Sequence, residues 1–204
     1  MRRGRLAERI KTGKKGAPPG RDPSVDAAEA QAALKSWHAI VQRTLKANDV
    51  KLVLYVPDKV FTPLIKSLHA DPDFTTFACA REEEAVGILC GAWMGGRRGA
   101  VLMQTSGFAT IPNVLASLAV PYQIPLIMLV SERGTLGEFN LGQAMVAKTM
   151  RPVLGALGIE THTMTRLDET EFIVDRGIKQ AIATQAPVCF ILSPLLTGGK
   201  VFEA

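Results

Sequence analysis

Six short apolar runs, each followed or preceded by a stretch of helical character, constrain this chain more than any other feature. They are residues 51–56, 74–79, 100–104, 125–130, 159–164 and 187–192. None alternates apolar with polar residues as a half-exposed strand does, so each reads as a strand covered on both faces. Strands of this kind separated by helices predict an α/β fold: a doubly wound, mostly parallel six-stranded sheet with helices on both faces. Helices are expected over Val25–Asn48 with Asp26 as cap, over Asp58–His69 and over Arg81–Gly95. Three more are expected: from the Ser106-Gly107 turn to about Val120, from the loop ending at Asn140 to about Leu157, and over Asp168–Ala183. Open sheets bind ligands beyond the carboxyl ends of their strands. The segments to inspect are therefore Arg81-Glu-Glu-Glu84, Gln104-Thr-Ser-Gly107 and Ser131-Glu-Arg-Gly134.

Charge narrows the partners. The 204 residues carry a net charge of +5, but residues 1–22 hold eight Lys/Arg against two Asp/Glu, and the remainder is close to neutral. The basic character belongs to a tail, residues 1–24, expected to be disordered when free; residues 25–204 are expected to form one domain. No apolar run reaches the roughly 18 residues of a membrane span, and the start lacks the apolar stretch of a secretory signal. Cys79, Cys90 and Cys189 are odd in number, form no CxxC pair and sit in apolar segments. They read as buried thiols of a reducing, cytoplasmic setting. His38, His69 and His162 are scattered, none at ligand spacing from a cysteine, so no metal site is expected in this chain.

The third expected helix departs from the ordinary amphipathic pattern. Arg81-Glu-Glu-Glu84 is followed by twelve uncharged residues, with Gly87, Gly91 and Gly95 at intervals of four. A helix apolar all round is covered all round, and each glycine weakens it by about 0.5–1 kcal/mol relative to alanine. A second subunit or domain is expected against the glycine ridge; the alternative is a tight helix–sheet contact within the chain. Acids near a helix start also interact well with its dipole. Glu82, however, shares a face with Ala85, Val86, Leu89 and Trp93, so its carboxylate is expected to be partly desolvated, as functional acids often are.

Together, Arg81–Gly95, Gln104-Thr-Ser-Gly-Phe-Ala-Thr-Ile-Pro-Asn113, Tyr122-Gln-Ile-Pro125 and Ser131-Glu-Arg-Gly134 resemble the pyrimidine-binding (PYR) domain of thiamine-diphosphate decarboxylases. Within that family the pattern is similar to the alpha subunits of sulfopyruvate decarboxylases and, next, to phosphonopyruvate decarboxylases, over about residues 30–195. The resemblance implies a lyase in which a glutamate at the start of this helix hydrogen-bonds the cofactor's pyrimidine nitrogen and controls its proton. Glu82 matches the motif spacing best, with Glu83 as the alternative. Gln104, Ser106, Gly107 and Asn113 carry over as lining of the pyrimidine or substrate pocket; Ser106 reads equally as a helix N-cap, and Gly107 as a turn needing positive φ. Arg133 carries over as the contact for a sulfonate or phosphonate, or else as an ion-pair partner of Glu132 or Glu138. Ala109-Thr110 stands where the family has Gly-Asn, which bears on the substrate more than on the cofactor. The paired histidines of the wider class are absent, and no catalytic histidine is assigned.

Such enzymes hold Mg²⁺ and the diphosphate through a Gly-Asp-Gly motif followed by an Asn, and no Gly-Asp-Gly occurs here. The resemblance therefore implies a hetero-oligomer. A beta subunit carrying Gly-Asp-Gly would bring the magnesium, and thiamine diphosphate would span the two chains. The implied reaction is decarboxylation of a 2-oxo acid, 3-sulfopyruvate to sulfoacetaldehyde and CO2. Phosphonopyruvate or another 2-oxo acid is the alternative substrate, and a PYR-like assembly module without chemistry is the alternative role. A generic nucleotide-binding domain is disfavoured, because no GxGxxG or GxxxxGK[ST] follows a strand.

Overall fold

The structure, a computed structural model, describes residues 35–199. The basic tail and the expected cap Asp26 lie outside the described residues. The elements run α1 (Trp37–Ala47), β1 (Val50–Tyr55), α2 (Thr62–Ala70), β2 (Thr75–Ala78), α3 (Glu82–Met94), β3 (Arg98–Gln104), α4 (Thr105–Phe108) and α5 (Pro112–Val114). A π-turn (Leu115–Ala119) follows, then β4 (Ile127–Ser131), α6 (Leu141–Ala156), β5 (Glu160–Met164), α7 (Leu167–Thr184), β6 (Val188–Leu192) and α8 (Pro194–Thr197).

All six strands pair in parallel, in the order β2-β1-β3-β4-β6-β5. The expected sheet is thus wholly rather than mostly parallel. One face is covered by α3, the segment 108–119 and α6, through Ala85, Val86, Leu89, Phe108, Ile111, Leu115, Met150 and Leu154. The other is covered by α1, α2 and α7, through Val41, Leu45, Leu64, Leu68, Val174 and Ile178. Burial on both faces is why the central strands carry no polar alternation: β4 and β6 bury every residue and β3 its central four, whereas the edge strands β2 and β5, also expected to be covered on both faces, are largely open to solvent. The chain moves from β1 outward to β2 and then back past β1 to β3. The strand order therefore reverses at the β1–β3 junction, the place where sheets of this kind bind ligands beyond their carboxyl ends.

Three helices differ from expectation. The one expected from Asp58 starts at Thr62, with Pro63 in its first turn. The helix expected from Val25 starts, among the described residues, at Trp37: Lys35 and Ser36 are not helical, and the Ser36 hydroxyl accepts the Ala39 N–H at 3.4 Å as the N-cap. The single helix expected from Ser106 to Val120 is three pieces. Pro112 opens α5, offers no N–H to a preceding turn and restricts Ile111 before it. The break lets Phe108, Ile111 and Leu115 all turn fully into the core. The three cysteines are free and buried, and burial pushes their thiols up, Cys90 to about 11 and Cys189 to about 12. Among the described residues no helix is long and apolar enough to cross a membrane.

Candidate active site

Because every strand runs the same way, the exits of β1, β2, β3 and β4 gather on one edge of the sheet. Glu82 is the first residue of α3, directly after Arg81 in extended conformation. It lies on the buried face of that helix with Ala85, Val86, Leu89 and Cys90. Its side chain rests on α4. A Cβ added at Gly107 would come within 2.6 Å of Glu82 Cδ and 2.8 Å of Cγ, and would overlap Oε1. Gly107 is not among the positive-φ residues. A close approach requires glycine here, not the left-handed turn that the sequence also allowed. Glu82 is 9 % exposed, and among the described residues no hydrogen-bond or ion-pair partner meets its carboxylate. A hydrogen-bond donor on a bound ligand could meet this carboxylate.

The other two acids are engaged at the helix start. Glu84 Oε2 accepts the Ala80 N–H at 2.8 Å, tying down the chain just ahead of α3. Glu83 accepts from the Arg81 guanidinium at 3.4 Å and from the Thr110 hydroxyl at 3.2 Å. Its own backbone N–H at the helix start, then Arg81, hold its carboxyl below the usual range. The same hydroxyl lies 2.8 Å from the Gly107 carbonyl, so its one proton serves either acceptor. The Ala109-Thr110 departure from the family pattern therefore braces the turn beside Glu82.

Gln104 ends β3 opposite Ser131 of β4 and is half-buried. Ser106, half-buried inside α4, caps nothing: the N-cap position is Gln104, and no side chain caps that turn. Asn113 stands apart, exposed on α5, with its carbonyl accepting the Ser117 hydroxyl at 2.7 Å. Arg133 is buried. Its Nε and Nη2 meet the Glu138 carboxylate at 2.8 and 2.9 Å, so the ion pair that the sequence allowed is formed with Glu138. Glu132 pairs instead with Arg151 at 2.5 Å. Glu138 further accepts the N–H groups of Gly134, Phe139 and Asn140 at 2.9–3.1 Å. Arg133 first, with these N–H groups, draws its carboxyl down to about 2. This organised loop, with Pro194, Gly198 and Gly199, lines a cavity of about 80 Å³.

Two residues at the site escaped the sequence reading. Thr105, fully buried, accepts the Arg133 N–H at 2.9 Å and lies 3.3 Å from the Ser131 carbonyl. Asp58, beyond the end of β1, accepts the Ser131 hydroxyl at 2.7 Å. Both are polar residues just past a strand end, but Thr105 occupies the variable place of the Gln-x-Ser-Gly turn and Asp58 looked like a helix start. The glycine ridge of α3 faces outward. A Cβ at Gly87 or Gly91 would meet nothing within 4 Å, Ile88 is partly exposed, and Met94 is 78 % exposed. The glycines therefore make no tight contact with the sheet, and the described residues leave that side of α3 uncovered.

A model of the family described as "Thiamine pyrophosphate enzyme, N-terminal TPP binding domain" matches residues 36–149, which include every site residue considered above except the cavity's Pro194, Gly198 and Gly199 and the Glu132 partner Arg151. The sulfopyruvate decarboxylase subunit alpha of Methanococcus maripaludis is 29 % identical over 155 residues, covering 76 % of this chain and 93 % of the relative. That of Methanothermobacter thermautotrophicus is 37 % identical over 119 residues, covering 58 % of this chain and 72 % of the relative. Among solved structures, a 2-oxoglutarate:ferredoxin oxidoreductase from Magnetococcus marinus superimposes with a TM-score of 0.65 at 14 % identity, over 79 % of this chain and 29 % of that one. This last likeness is one of fold.

Proposed function

Since the chain belongs to the thiamine pyrophosphate enzymes, through an N-terminal TPP binding domain over more than half its length, we propose that it is the alpha, pyrimidine-binding subunit of a cytoplasmic decarboxylase that converts 3-sulfopyruvate to sulfoacetaldehyde and CO2. The observation that carries this is Glu82, a largely buried residue whose carboxylate has no partner among the described residues, pressed on a glycine at the switch point of the sheet. These residues fit thiamine diphosphate: a carboxylate with no partner among the described residues suits a ring nitrogen. When bound, the cofactor supplies the electron sink for the pair released as a 2-oxo acid loses CO2.

Glu82 holds and exchanges the proton at the pyrimidine nitrogen, and the apolar face of α3 keeps that exchange away from bulk water. Gln104, Ser106 and Gly107 form the wall beside it, and Asn113 joins that wall once a second chain covers α5. Glu138 takes two of the five N–H donors of the Arg133 guanidinium, and the remainder stay available to sulfonate oxygens. A beta subunit carrying Gly-Asp-Gly holds Mg²⁺ and the diphosphate. The uncovered glycine face of α3 supports such a covering chain. Residues 25–204 act as one domain, with the basic tail outside it.

The test is CO2 release from 3-sulfopyruvate with thiamine diphosphate and Mg²⁺, by the chain alone, by its complex with a Gly-Asp-Gly chain, and by a Glu82→Gln complex. Only the wild-type complex is expected to turn over, with Glu82→Gln assembling normally and losing about 10²–10⁴-fold in rate. Robust turnover by the chain alone would sink the split site, and undiminished turnover in Glu82→Gln would move the role to Glu83. Phosphonopyruvate in the same assay fixes the substrate.

A further inference from the structure

Thr105 has no part in the scheme above, yet it is fully buried where the two halves of the site meet. The β3–β4 ladder ends at Gln104 opposite Ser131. Beyond that point the two exits are joined by one side chain. The Thr105 hydroxyl accepts the Arg133 N–H at 2.9 Å and directs its own proton to the Ser131 carbonyl at 3.3 Å. Thr105 also opens α4, two residues before the Gly107 surface that receives Glu82. On the other side, Arg133 N–H leads into the loop that Glu138 organises. One hydroxyl thus fastens the wall that carries Glu82 and Gly107 to the loop that carries the guanidinium.

We infer that Thr105 is a positioning residue: it sets the distance between the cofactor side of the site and the substrate-binding guanidinium of Arg133. It rests on the assignment of Glu82 and Arg133 made above. Gly107 and Phe108 are packed in the core independently of the hydroxyl, so its loss releases the Arg133 loop and leaves the Glu82 wall in place.

Thr105→Val keeps the shape and removes the hydroxyl, whereas Thr105→Ser keeps the hydroxyl. In the full chain, the Arg133 amide is expected to exchange with solvent slowly in wild type and in Thr105→Ser, and at least about tenfold faster in Thr105→Val. In the assembled complex, Thr105→Val is expected to raise the KM for 3-sulfopyruvate about tenfold while thiamine diphosphate affinity by calorimetry stays within about twofold, and Thr105→Ser is expected to restore KM. A merely structural role would lower the thermal midpoint and leave KM of the folded enzyme unchanged; that result overturns the inference. So does a wild-type Arg133 amide that exchanges as fast as that of Thr135 in the same loop, a measurement needing no variant should Thr105→Val fail to fold. If the wild-type complex decarboxylates no 2-oxo acid, the functional assignment fails, and amide exchange alone then decides whether Thr105 holds the loop.

Discussion

Gly107→Ala separates chemistry from folding at this site. The added Cβ would lie 2.6 Å from Glu82 Cδ and 2.8 Å from Cγ. Ordinary carbon–carbon contact is about 3.5–4.0 Å, so the carboxyl group must retreat by about 1 Å. What has to move is the far end of a flexible side chain, not backbone, and alanine is compatible with the φ of Gly107. The fold should therefore absorb the change within about 1 kcal/mol, with a helical Gly→Ala gain offsetting part of it. Catalysis should not absorb it, because a misplacement of about 1 Å at a reacting group costs about 10²-fold, close to 2.7 kcal/mol of barrier. Thermal unfolding followed by circular dichroism measures the first quantity, and kcat/KM of the assembled complex the second. The double variant with Glu82→Gln should be no slower than Glu82→Gln alone, since both act through one carboxylate. A Gly107→Ala enzyme within about threefold of wild type, or a double variant whose losses multiply, would refute the proposed contact between Gly107 and a working Glu82.

Two further expectations concern the Arg133 loop. Arg133 first, with backbone N–H groups, holds the nearly inaccessible Glu138 carboxyl down at about 2 against an ordinary 4.5, so its contribution to stability is present above pH 4.5 and lost as pH falls toward 2; the unfolding free energy from denaturant titrations should fall by about 2–3 kcal/mol more over that window in wild type than in Glu138→Gln, and equal falls would contradict the pairing. Gly134 has φ +86°, and a Cβ there would overlap the Gln143 carbonyl and lie 2.6 Å from Ala147 Cβ. Unlike at Gly107, the obstacle is the backbone of α6, so Gly134→Ala should lower the thermal midpoint by about 5 °C or more, and an unchanged midpoint would contradict the packing of that loop.

Much of the fold was legible without coordinates. Unbroken apolar runs announce strands buried on both faces because burial is a local demand on every residue of the strand; β4 and β6 are buried throughout and β3 over its central four residues. Glu82 was legible too: its spacing to Ala85, Val86 and Leu89 places it on one helical face with them, and that face is buried. At the first helix, apolar periodicity on both sides hides the Ser36 cap, so the expected helix runs through Lys35 and Ser36; after β3, the same periodicity hides the break that Pro112 makes.

The sequence by itself determined which segments meet at the carboxyl edge of the sheet and which acid faces inward, since both follow from periodicities carried by neighbouring residues. Only the tertiary structure decided what those residues touch. That Gly107 is glycine because Glu82 leans on it, that Arg133 holds Glu138 while Glu132 holds Arg151, that Thr105 joins two strand exits, and that the glycine ridge of α3 opens outward are all consequences of chain approach through space. Side chains 5 to 28 positions apart carry no local mark of such approach. It is set by the winding of the sheet, where a turn of a few tenths of an ångström decides whether a side chain fits.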